Sequence, residues 1–206
     1  MKEGEKMNES ILNKKAYDLT RNKEIAQTIL IAIGLFLVPL FIPAILQAVL
    51  GSTNVIASNS QIIVGSIVNT GLIMTAINIG GLKKLLLFAS LPSISAIAGG
   101  YIFGPLSVVT VYMLPAIWIG NLSLILLVKY FFVGKKAKYV ASLVTASLVK
   151  VAIIFGVLNM FMAITLIPSS GAVASTLRYS LGLFQIITVT VGAVISFGIT
   201  KLLYSK

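Results

Sequence analysis

Beyond Glu24 the sequence contains no aspartate, glutamate, histidine or cysteine. All five carboxylates (Glu3, Glu5, Glu9, Asp18 and Glu24) fall in the first 24 residues of 206, and the chain has no histidine or cysteine anywhere. Each absence closes off a chemistry. General acid–base catalysis draws on carboxylates and imidazoles, and a Ser or Lys nucleophile needs a base beside it. Divalent metals need carboxylate, imidazole or thiolate ligands, so neither a metal site nor a cofactor is expected. The Asp/Glu/His relays of proton-coupled carriers are missing as well. The chain reads as a non-enzyme, and the lack of cysteine fits any compartment.

What is present is apolar. Hydrophobic residues make up 58% of the chain and mean hydropathy is +1.04, against roughly 45–50% apolar content in soluble domains. Charges and helix breakers divide it into six apolar blocks: 25–50, 62–82, 85–103, 106–128, a fifth from about Tyr139 to Pro168, and 179–200. Runs of about 20 residues cross the roughly 30 Å hydrocarbon layer as helices. The expected fold is an all-α integral membrane protein, a bundle of six transmembrane helices over residues 25–206. Residues 1–24 form a cytoplasmic arm, either a surface helix carrying Ile11, Leu12, Ala16 and Leu19 on one face or a polar leader. The mixed charge of that arm and the length of the first block do not match a signal peptide.

The cations set the orientation. Lys14, Lys15, Arg21, Lys23, Lys83, Lys84, Lys129, Lys135, Lys136, Lys138, Lys201 and Lys206 flank the spans on one side, and Arg178 alone flanks the other. By the positive-inside rule both termini are cytoplasmic, in a plasma-membrane protein whose basic inner face meets anionic lipid. The net charge of +11 is thus read as topology, and no nucleic-acid motif accompanies it.

Polar and small residues within the blocks are the candidates for contact and function. In the third block Ala89, Ser93, Ala96, Gly100 and Gly104 recur at three- and four-residue steps, a stripe suited to close helix packing. Lys150 allows two readings. Counted from Tyr139 it lies near mid-bilayer, where a buried ammonium needs carbonyls, an aromatic face or a ligand's anionic group. Counted back from Pro168 it sits at the inner interface and snorkels. Asn69 and Asn78 serve as inter-helix hydrogen-bonding groups, and Asn121, Asn159 and Gln185 do so or act as ligand contacts. Trp118 lies too deep for an interfacial belt, Tyr112 fits that belt or a ligand mouth, and Arg178 anchors head groups or guards an outer opening.

The run from Leu91 to Pro105, LPSISAIAGGYIFGP, resembles a segment of the substrate-binding S components of energy-coupling-factor vitamin transporters. There a proline-containing third span leads through small residues into a Phe-Gly-Pro turn. Length, six spans and cytoplasmic termini are similar too. The resemblance implies a subunit that binds a vitamin-like micronutrient from outside. It would dock on a transmembrane T subunit driven by ATPase subunits, through small residues of its first span. Here that span offers Ala44 and Ala48 in its outer half and Ala26, Ala32 and Gly34 at looser spacing, so the docking pattern departs from the family's. Two functions follow. One is a ligand-capturing transport subunit whose pocket is capped by residues 51–61 and 169–178, for an anionic or neutral ligand. The other is a membrane scaffold or assembly protein without a small-molecule ligand.

Overall fold

The computed structural model describes residues 2–100 and 107–204, with side chains described for 22–100 and 111–202. Gly104, placed in the packing stripe by its spacing, lies outside the described residues, as do Tyr101 and the Phe-Gly-Pro turn. The described residues form helices joined by short connections, with no strand among them. Among the described residues six helices are long and apolar enough to cross a membrane. The chain is therefore a multi-pass α-helical membrane protein.

Helix α1 runs unbroken through Lys2–Leu50, so the expected arm and first span are one rod. Only Asn22–Leu50 of it qualifies as a span. A one-turn helix, α2 (Val55–Ser58), is capped by Asn54, whose Oδ1 accepts from the Ile56 amide at 2.9 Å. Then follow α3 (Ser60–Asn78), α4 (Leu82–Gly99), α5 (Ser107–Val128, extended by a π-helical segment, Lys129–Gly134) and α6 (Tyr139–Ala163). The segment expected as a polar loop over 169–178 is instead a short helix, α7 (Gly171–Arg178), with Ala174 and Leu177 turned inward. A second π-helical segment, Tyr179–Leu183, joins it to α8 (Phe184–Tyr204).

α3 is the hub. It touches α1, α4, α5 and α8, and its seam with α8 is the most extensive in the molecule. Glycines permit that closeness. A Cβ at Gly192 would meet the Ser66 carbonyl oxygen and the Thr70 amide nitrogen at 2.9 Å, backbone atoms that cannot step aside. Small residues at helix contacts in lipid serve this purpose, because burial alone adds little where the solvent is already hydrocarbon.

Among the described residues three helices contain proline and continue through it: α1 at Pro39 and Pro43, α4 at Pro92, α5 at Pro115. A proline ring removes one amide donor and crowds the preceding turn. At two of these positions a neighbouring helix responds in the same register. Ser95 Oγ of α4 donates to the Phe36 carbonyl, three residues before Pro39. Asn121 Nδ2 of α5 donates to the Ala89 carbonyl, three residues before Pro92, at 2.9 Å. Side-chain donors from adjacent helices thus reach the turn that each ring crowds, one residue past the carbonyls (Leu35 and Phe88) that lose their amide donor.

The apolar interior divides into two clusters. One, at the end rich in lysine, draws on all six spans: Leu35, Leu72, Phe88, Leu124, Leu143 and Val189 are among its members. The other draws only on α5, α6, α7 and the chain around them, with Met113, Ile154, Leu158, Ile167, Leu177 and Leu181. At the lysine-rich end Lys129 Nζ donates to the carbonyls of Ile79 (2.9 Å) and Ala76 (3.3 Å), closing the C-terminus of α3 where a cation suits the helix dipole.

Gly100 corrects the packing stripe. Ala89, Ser93 and Ala96 are buried, but Gly100 is exposed in the left-handed region (φ 69°), capping α4 with nothing within 4 Å of a notional Cβ. Its neighbour Gly99 makes the close approach instead: a Cβ there would sit 3.0 Å from the Leu40 carbonyl oxygen of α1.

Candidate functional site: a polar cavity around Lys150

Between the two clusters lies a polar layer with a cavity of about 80 Å³. It is lined by Gln61, Asn69, Ser93, Asn121, Lys150 and Gln185, with apolar surface from Val64, Val68, Pro92 and Ile117 among others. Pro39 of α1 and Leu181 also line it, so contributions come from α1, α3, α4, α5, α6, α8 and the π-helical segment before α8.

Lys150 is its one charge. α6 places it 11 residues from Tyr139 and 13 from Ala163, about 16 Å and 20 Å from the two helix ends at 1.5 Å per residue. It is only 2% exposed, so the snorkelling register is overturned. The side chain does not travel along α6 to the interface; it turns into the bundle, where Nζ donates to Asn69 Oδ1 at 2.6 Å. Asn69 is fixed in turn, because Nδ2 donates to the Gly65 carbonyl (2.9 Å) and to Thr188 Oγ1 (3.1 Å). Thr188 Oγ1 donates to the Gln185 carbonyl at 3.2 Å. Both amide protons of Asn69 are therefore engaged, and its oxygen is aimed at the ammonium. A neutral amide orients the cation without neutralising it. Lys150 has three N–H donors, and Asn69 takes one.

A second polar contact forms the opposite wall. Trp118 Nε1 donates to Ser93 Oγ at 2.6 Å, which in turn donates to the Ser90 carbonyl at 2.9 Å. Beside it Asn121, 3% exposed, holds the Ala89 carbonyl.

At the end away from the lysines, a wider vestibule of about 430 Å³ lies between the α2–α3 corner and the α7–α8 corner. Ser58, Asn59, Ser175, Thr176, Tyr179 and Ser180 line it, and so does Gln61. Gln61 belongs to vestibule and cavity alike, and its Nε2 donates to the Ser180 carbonyl at 3.0 Å. That bond ties α3 to the π-helical segment Tyr179–Leu183 where the two spaces meet.

Of the ligand-contact candidates from sequence, Lys150, Asn121 and Gln185 line the cavity, with Trp118 bonded to its wall, and Asn69, expected as an inter-helix group, joins them. Three others fall elsewhere. Tyr112 is 50% exposed on the outer surface of α5. Asn159 turns back to its own helix, donating to the Phe155 carbonyl at 2.7 Å. Arg178 is exposed at the end of α7, where its guanidinium donates to the Ser169 carbonyl at 3.4 Å. Gln61 and Thr188 carry more of the site than their sequence context suggested. The signal available for Gln61 is an amide side chain at the start of the least apolar long span but one; Thr188, inside an apolar run, gives none.

No family model matches the chain, and no curated protein or solved structure matches it.

Proposed function

We propose that the chain is the membrane-embedded substrate-binding subunit of an uptake system for a small micronutrient, anionic or neutral and vitamin-like. A separate energising module, with a transmembrane T subunit and ATPase subunits, would drive it, as in the S components that 91–105 resembles. The carrying observation is Lys150, a cation buried at mid-span beside a cavity, in a chain with no carboxylate beyond Glu24. A buried ammonium held only by an amide favours an anionic group in the cavity, and ionisable residues within spans mark ligand pathways more often than packing. Entry is from the vestibule, whose volume lies in the roughly 300–1,000 Å³ range of small-molecule sites. Parting Gln61 from Ser180 joins the two spaces.

Binding by the purified protein to a panel of carboxylate-bearing vitamins, read by native mass spectrometry, tests this. Lys150→Met abolishes the adduct that the native protein forms while leaving thermal stability equal or higher, and Lys150→Arg keeps part of the affinity. An adduct unchanged in Lys150→Met removes Lys150 from the site. The orientation has its own test in this cysteine-free chain. Ser170→Cys reacts with an impermeant maleimide on intact cells and Gly134→Cys does not; the reverse pattern inverts the topology.

A second reading, a membrane scaffold without a ligand, rests on the size of the cavity. At about 80 Å³ it is well below the range of small-molecule sites, and Asn69 already occupies one donor of Lys150. The absence of any adduct across the panel, with the protein folded, favours it.

A further inference from the structure

The seam between α6 and α8 is closed at both ends and open between them. At the lysine-rich end the Tyr139 hydroxyl shares a hydrogen bond of 2.7 Å with Ser196 Oγ and donates to the Ala193 carbonyl at 3.3 Å. Its ring lies 5.3 Å from Phe197 and 5.1 Å from Phe132. At the far end a Cβ on Gly182 would sit 3.0 Å from the Phe155 ring. Between these contacts the helices part around a groove of about 460 Å³. Its walls are apolar: Val140, Val144 and Leu148 of α6 face Ile186, Val194 and Phe197 of α8.

Length and charge identify the occupant. Along α6 the walls run from Tyr139 to Val151, about 18 Å, close to the roughly 15 Å of one leaflet's hydrocarbon. The groove therefore begins at the lysine-rich face and ends near mid-membrane. Lys138 immediately precedes Tyr139, and Lys201 follows Phe197 by one helical turn; both are exposed, and neither helix carries an acidic residue. A transmembrane partner helix would need a surface through both leaflets and would bring its own cytoplasmic cations against these lysines. A lipid tail needs one leaflet, and its phosphate suits them. We propose that this groove is a specific site for one anionic phospholipid, with an acyl chain between α6 and α8 and the phosphate held by Lys138 and Lys201.

The test takes the full chain from vesicles of phosphatidylglycerol and phosphatidylcholine in equal amounts with identical acyl chains, and counts retained lipids by native mass spectrometry. The native protein retains one phosphatidylglycerol in roughly tenfold or greater preference, the expectation for two nearby cations. The double substitution Lys138→Gln, Lys201→Gln abolishes that preference. Leu148→Trp fills the groove, leaves the lysines intact and lowers retention of both lipids. Leu148 is 63% exposed, so the fold tolerates the change, and Val144→Phe gives an independent reading of the same wall. Equal retention of the two lipids by the native protein overturns the proposal. So does an undiminished adduct in both groove-filling variants, or recovery of a second polypeptide whose binding those variants abolish.

Discussion

Helices α1 and α3 cross the same bilayer by opposite means. The most apolar stretch of α1 has a mean hydropathy of 2.8 and only 17% of it is buried; that of α3 has 1.5, and 56% is buried. In water the more hydrophobic helix would be the more deeply buried. Here the order inverts, because lipid already satisfies apolar side chains and the bundle interior is where polar ones find partners. Between these two spans the more apolar one is the more exposed to lipid, and serine, threonine, asparagine and glycine mark the buried one. α3 illustrates this with Ser66, Asn69, Thr70 and Thr75, all 7% exposed or less.

If that inversion holds, substitutions against α3 are costly and those on α1 are not. The largest effect is expected from Gly192→Ala, whose methyl would meet the α3 backbone; overpacking costs roughly 1–3 kcal/mol, read as a lower unfolding midpoint in detergent. Gln61→Ala comes next. It removes one hydrogen bond between α3 and the segment Tyr179–Leu183, worth about 0.5–1.5 kcal/mol net. Hydrogen exchange over 175–183 should accelerate by up to roughly tenfold, with no change across 82–91. On α1, Gly34→Ala enters open space and adds helix propensity of at most about 1 kcal/mol, so its midpoint stays or rises. The smallest effect belongs to Lys84→Gln, which breaks the 3.6 Å pair between α4 and Glu24 of α1. Both partners are half exposed, and such pairs contribute within about 0.5 kcal/mol. A Gly192→Ala protein as stable as Gly34→Ala would break the comparison outright.

Span number was legible because length and hydropathy decide it locally. Most of the site was not, because it depends on helix rotation. Lys150 admitted two depths from sequence, and only its approach to Asn69, 81 positions earlier in the chain, decides between them. Gly99 and Gly100 differ by one position, yet one touches a neighbouring backbone and the other ends the helix; spacing within a stripe does not say where the helix stops. Tyr112, Asn159 and Arg178 carry suitable chemistry, but their helical positions turn them away from the cavity. The two π-helical segments left no mark in the hydrophobic pattern, since one extra residue in a turn alters the register without altering composition.

The carbonyls bonded three residues before Pro39 and Pro92 have a mechanical consequence. α5 grips α4 at the turn Pro92 disturbs, and α4 grips α1 at the turn Pro39 disturbs. The proline turns of α1 and α4 are thus tied in series to α5. Pro39, Pro92, Ser93 and Asn121 all line the cavity at Lys150. The cavity wall thus includes both of these tied turns, and the outermost belongs to α1, the span with the smallest share of its apolar stretch buried.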